Sequence, residues 1–212
     1  MTDSPENLMV DAFFEPAGPA EVEEKIRRSR FIARLEICRS DVEVRDFLGR
    51  VEAEHRNATH NCWAYRLGPD PETEYSSDAG EPSGTAGRPI LSALKKNELH
   101  NAAIVVTRYF GGIKLGVRGL IEAYGQLAEL AVRAAGRLQK VRALPLEISL
   151  PYDMIGQVTR LLEEHGAVGS PCWHYASEVD VTAELPVSSA EAFTSVLDEF
   201  QARDLIFSWG WL

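Results

Sequence analysis

Ala102-Ala103-Ile104-Val105-Val106-Thr107-Arg108-Tyr109-Phe110-Gly111-Gly112-Ile113-Lys114-Leu115-Gly116 carries the chain from one structural pattern into another. Its first six residues form an apolar, β-branched run of the length of a buried strand. Beyond it, Leu120, Ala123, Tyr124, Leu127 and Ala131 recur at helical spacing, which predicts a helix over 119–137. The connection must turn sharply, and glycine supplies positive φ at little cost and lets another group approach the main chain. The N-terminus of the following helix presents free N–H donors and partial positive charge. With Arg108, Lys114 and Arg118 beside it, the turn is a candidate anion seat; an ordinary Gly-Gly turn with solvated cations is the alternative.

Upstream, residues 30–37 alternate as a half-buried strand, Ser40 caps a helix running from Val42 to about Arg56, and residues 61–67 read as a second strand. Residues 68–89 read as one long loop, followed by a helix over 90–99. This series indicates an α+β domain over 21–140, preceded by a lead-in of 20 residues with three prolines that contributes at most one edge strand. Downstream, strands at 146–150, 167–175, 178–185 and 205–207 alternate with helices at 152–165 and 189–201. That order predicts a small ferredoxin-like domain over 141–212.

Charge divides along the same line. The chain carries 22 Lys+Arg against 32 Asp+Glu, a net −10 that argues against wholesale wrapping of nucleic acid. Residues 1–140 hold 19 basic and 21 acidic side chains, and residues 141–212 hold 3 and 11. Within the first part, residues 88–140 hold 9 basic and 3 acidic groups, so the positive charge gathers around the opening stretch. No run approaches the roughly 18 apolar residues of a membrane span, and the N-terminus lacks a signal pattern, so a cytoplasmic protein with no membrane partner is expected. Cys38, Cys62 and Cys172 are odd in number and widely spaced, which predicts reduced, mostly buried thiols.

A second loop, Ser77-Asp78-Ala79-Gly80-Glu81-Pro82-Ser83-Gly84-Thr85-Ala86-Gly87, combines carboxylates, hydroxyls and glycines ahead of a helix. Asp78 and Glu81 suit a hard cation or acid-base work, and Ser83 or Thr85 suits a phosphate. In the alternative, the same side chains satisfy the loop's own N–H groups. Gly111 and Gly116 have Walker spacing, but Val117-Arg118 stands where Lys-Ser/Thr is required, and neither a Rossmann fingerprint nor a nucleophile elbow is present. His60 and Cys62 share a strand face, which permits a thiol-imidazole pair without an evident orienting carboxylate. His55 and His60 lack further ligands at metal spacing, so neither metal nor cofactor is expected.

Arg30-Phe31-Ile32, Thr59 to Tyr65, Asp78 to Gly87 and Arg108 to Gly116, in that order, resemble the IMPACT family in its bacterial YigZ-like branch. The resemblance covers roughly residues 21–137. It implies an N-terminal domain similar to the second domain of a small-subunit ribosomal protein, and a C-terminal domain similar to the last domain of translocation elongation factors. It implies no catalytic residues. Eukaryotic relatives restrain an initiation-factor kinase through an additional N-terminal module, and the 20 residues ahead of the shared region are too few for one, so that role is not expected here.

Three readings follow. The leading one is a non-enzymatic binding protein of translation or stress control that holds RNA, a ribosomal partner or translation factor, or a phosphate-bearing small ligand. Its binding residues would be His60, Asp78, Glu81, Ser83, Thr85, Arg108, Lys114 and Arg118. The second is a small hydrolase or transferase built on Asp78, Glu81 and His60. The third is a protein-interaction module anchored by exposed Tyr109 and Phe110.

Overall fold

A computed structural model of the chain describes residues 11–69 and 72–212. The described residues form two compact units, Phe13–Gln139 and Lys140–Leu212, with Asp11 and Ala12 belonging to the second. Strand β1 (Ala12–Pro16) pairs with β7 (Arg137–Val141) in a two-stranded sheet.

The first unit is built on a five-stranded antiparallel sheet ordered β2-β3-β6-β4-β5. Its strands are β2 (Ala20–Ile26), β3 (Ser29–Ile37), β4 (His60–Leu67), β5 (Thr73–Ser77) and β6 (Ala102–Tyr109). Helices α2 (Gly87–Lys96) and α3 (Gly116–Ala135) cover one face, and α1 (Asp41–Glu54) covers part of the other. Central β6 accounts for its uninterrupted apolar sequence. Ala102, Ile104 and Val106 enter the core with Phe31, Leu94 and Leu127, while Ala103 and Val105 pack with Phe47 and Val51 of α1. Over Ala102–Val106 the strand is covered on both faces, which favours a continuous apolar run there, and the buried polar residues Thr107 and Arg108 come only at its end. Helix α1 begins where expected, with the Ser40 hydroxyl accepting the Glu43 N–H at 3.3 Å.

Elsewhere the elements differ from the sequence reading. The expected loop over 68–89 contains β5, and β2 lies immediately beyond the lead-in. Arg108 and Tyr109 extend β6, and Gly116 through Arg118 form the first turn of α3.

The second unit runs β8 (Ala143–Leu150), α4 (Ile155–Glu164), β9 (Val168–Tyr175), β10 (Val179–Pro186), α5 (Ala190–Ala202) and β11 (Ser208–Trp211). Its sheet order, β11-β8-β10-β9, completes a split βαβ arrangement. Val179, Val181, Ala183 and Leu185 alternate into a core with Ile148, Leu162 and Phe193. The last strand is Ser208–Trp211 rather than 205–207. Asp204 takes φ 55° and the Leu205 N–H returns to the Phe200 carbonyl at 3.0 Å, so the apolar run closes the end of α5 and buries Ile206. Trp209 and Trp211 pair opposite Ile148 and Leu146 and pack on the core. The chain is therefore an α+β protein. Among the described residues, no helix is long and apolar enough to cross a membrane.

Candidate functional site

The two glycine loops meet at one end of the first sheet. Register places Arg108 of β6 opposite His60 of β4, so both project on the α2/α3 side, as does Cys62 two residues further on. The Thr59 N–H donates to the Arg108 carbonyl at 2.8 Å and the Thr59 hydroxyl accepts the Phe110 N–H at 2.9 Å, closing the strand pair. The chain then passes so close to the β2-β3 turn that a Cβ on Gly111 would lie 2.0 Å from the Arg28 carbonyl oxygen. Gly112 is required for a different reason, its φ of +86°.

Arg108 does not face solvent. Its guanidinium donates to Glu81 Oε1 at 2.6 Å, with 6% and 4% of the two side chains exposed, and its carbon lies 5.4 Å from the ring centres of both Phe31 and Phe110. The Tyr124 hydroxyl donates to the same Glu81 oxygen at 2.9 Å, and His60 Nε2 lies 3.9 Å from the other. A buried ion pair of this kind persists only when further hydrogen bonds satisfy it, and Tyr124 supplies one. Burial, the neighbouring Cys62 and the Glu81 charge all push the Tyr124 hydroxyl well above its ordinary range.

Asp78 is equally committed. One carboxylate oxygen accepts the Gly84 N–H at 2.8 Å and the other accepts the Ala86 and Gly87 N–H groups at 2.9 Å. The last two are donors that a helix leaves without internal partners, so Asp78 caps α2 from across the loop. Burial raises its pKa, but the three N–H donors outweigh burial, and with the nearby Arg88 charge they hold the carboxyl below its usual range. The Asp78 carbonyl accepts the Cys62 thiol at 2.9 Å, and His60 Nδ1 donates to the Ala79 carbonyl at 2.9 Å. Burial pushes the Cys62 thiol up to about 12; a hydrogen bond with Tyr124 works against that rise, and the Glu81 and Asp78 charges add to it. A thiol at that pKa is protonated at neutral pH and is a poor nucleophile.

The remaining sequence candidates lie apart from this buried cluster. Thr85 is buried and donates to the Pro82 carbonyl at 2.6 Å, whereas Ser83 is exposed. Lys114 and Arg118 are exposed at the start of α3, and no side chain caps its first turn. Arg118 pairs with Glu122 at 2.8 Å, Lys95 with Glu74 at 2.8 Å and Lys96 with Glu129 at 3.2 Å. Of the nine basic residues read from the sequence over 88–140, four are thus answered by carboxylates, two of which, Glu74 and Glu81, come from outside that segment. Lys114 forms no ion pair among the described residues. Of the two aromatics, Tyr109 is half-buried with its hydroxyl 2.9 Å from His55 Nδ1, and Phe110 is 46% exposed. Sequence reasoning missed Tyr124, Phe31 and Ser29 as parts of this cluster, the Ser29 hydroxyl accepting the Gly111 N–H at 3.2 Å and lying 3.5 Å from the Arg108 guanidinium. The signal was in Tyr124, since a tyrosine on the buried stripe of a helix brings a hydroxyl that needs a partner.

No group of three or more metal-ligating side chains occurs among the described residues. The arrangement defines a two-unit α+β chain whose glycine loops are knitted together by a buried carboxylate, guanidinium and phenol. Residues 27–132 match the Impact N-terminal domain family. The chain is 35% identical over 191 residues to "IMPACT family member YvyE" of Bacillus subtilis, spanning 90% of this chain and 88% of that one. It is 32% identical over 199 residues to "IMPACT family member YigZ" of Escherichia coli, spanning 92% and 97%. A solved structure described as that of an hypothetical protein matches with a TM-score of 0.66 at 31% identity, over 95% of this chain and 97% of the other. The chain belongs to the IMPACT family.

Proposed function

We propose that this chain is a non-enzymatic regulator of translation that binds a ribosomal or RNA partner in the cytoplasm through the exposed residues of its two glycine loops. The observation that carries this reading is where the loop's chemistry points. The groups a hydrolase would use, Asp78, Glu81 and His60, are spent on internal hydrogen bonds. The groups left facing solvent are Ser83, Lys114, Arg118 and the apolar Phe110, Ile113 and Val117. A cation-bearing surface with apolar side chains between suits a partner that offers both phosphate and protein.

Co-sedimentation with ribosomes over a series of salt concentrations tests this. Wild-type binding weakens as salt rises, and each phosphate contact removed by Lys114→Ala or Arg118→Ala lowers the salt slope by about 1. Absence of salt-sensitive binding by the wild-type chain, or identical slopes in both variants, rejects the reading.

A further inference from the structure

The opposite face of the first sheet carries a groove of about 390 Å³, within the roughly 300–1,000 Å³ of small-molecule sites. Asn61, Trp63 and Val105 form its floor and Leu48, Glu52 and Arg56 its wall, and at the end of the sheet His60 and Ala79 of the loop site also line it. We infer that this groove binds a ribonucleoside phosphate, free or as one unit of single-stranded RNA, with the base on Trp63, the ribose at Glu52 and the phosphate at Arg56. The inference stands apart from the loop reading, since it uses none of Ser83, Lys114 or Arg118.

Trp63 is half-buried and lies near-parallel to Tyr65, with ring centres 5.8 Å apart and planes at 16°, and Tyr65 in turn leans on Tyr75 at 5.7 Å. The three rings form a row across β4 and β5 that fixes the indole while leaving it at the border of the groove. A base stacking there would extend an existing row, an interaction open to every base. Asn61 is oriented too. Its carbonyl oxygen accepts the Thr107 hydroxyl at 2.7 Å, which turns its NH₂ away as a donor for a base carbonyl. The charged groups are unspent: the Arg56 guanidinium contacts only the Ala53 carbonyl, at 3.4 Å, and neither Arg56 nor Glu52 forms an ion pair among the described residues. A guanidinium meets phosphate through a fork of donors, and a carboxylate accepts from ribose hydroxyls, so the two charges serve different parts of one ligand.

The test is calorimetric titration of the full chain with UMP, uridine, deoxy-UMP and hexauridylate. UMP or hexauridylate binds the wild-type chain, and deoxy-UMP binds more weakly than UMP. Saturation by UMP marks a free nucleotide as the ligand, and binding of hexauridylate alone marks RNA. Trp63→Ala weakens binding roughly 5- to 150-fold, the range of one base stack, and Trp63→Phe restores part of it. Arg56→Gln, an exposed change that leaves the core intact, weakens UMP about five- to ten-fold or more without altering uridine. Failure of both UMP and hexauridylate to bind at millimolar concentration overturns the inference, as does binding that Trp63→Phe, Trp63→Ala and Arg56→Gln leave unchanged.

Discussion

Replacing Arg108 with methionine isolates the buried ion pair from every exposed contact. Methionine keeps an unbranched stem between Phe31 and Phe110, so the chief loss is the guanidinium bond to Glu81. Glu81 then retains the Tyr124 hydroxyl at 2.9 Å and the distant His60, inside a pocket that leaves its side chain 4% exposed. Removing one partner of a buried pair costs about 3–5 kcal/mol, mostly from the charge left behind. With the packing kept, about 3 kcal/mol is expected. At roughly 2–4 °C per kcal/mol for a chain of this length, the melting temperature should fall by about 6–12 °C. Arg108→Met/Glu81→Leu removes the stranded charge as well and should recover at least about half of the loss. Urea denaturation and thermal scans of wild type, both single variants and the double variant close the cycle. A single-variant loss below about 1 kcal/mol, or a double variant as unstable as the sum of its parts, would refute the claim that the pair holds the loops together.

Asp78→Asn replaces an oxygen that accepts N–H donors with an NH₂ that cannot, and should cost about 1–3 kcal/mol near neutral pH. Because the native carboxyl titrates below its ordinary range, its stabilisation is complete above that range and is lost as pH falls through the lowered native value. The gap between wild type and variant, followed by urea midpoints from pH 7 downward, should therefore close on the acid side. Burial holds the Cys38 and Cys62 thiols up at about 12, while Cys172 is exposed. A disulfide reagent at mildly alkaline pH should thus label one thiol in the native chain and all three after denaturation; rapid labelling of Cys62 in the folded chain would contradict its place in the cluster.

What the sequence disclosed follows from which forces act locally. β6 and β10 were legible because one is apolar on two faces and the other alternates on one. β5, Thr-Glu-Tyr-Ser-Ser, was hidden because an edge strand needs only the backbone of β4 beside it and keeps polar side chains. β2 was readable in principle, since Ala20, Val22 and Ile26 alternate with Glu21, Glu23 and Lys25. The candidate residues were recognisable as polar groups in glycine loops, but spacing alone does not say whether a carboxylate faces a ligand or its own fold. For Glu81 the deciding partners, Arg108 and Tyr124, lie 27 and 43 residues away and are fixed only by tertiary packing. The Trp63 groove left no motif, because its parts come from helix α1, the connection that follows it, strands β4 and β6, and the loop at Ala79.

The Asp11 carboxylate accepts the Ser188 N–H at 2.8 Å, and its carbonyl accepts the Arg142 N–H at 2.9 Å. These contacts join the body of the second unit to a residue 177 positions before Ser188. On a ribosome adding roughly 5–20 residues per second, Asp11 waits about 10–35 s for that partner to be synthesised. The first unit is continuous in sequence and can close during that interval, but the second must hold its Asp11 segment in reserve until the stretch from Lys140 through Ser188 has emerged.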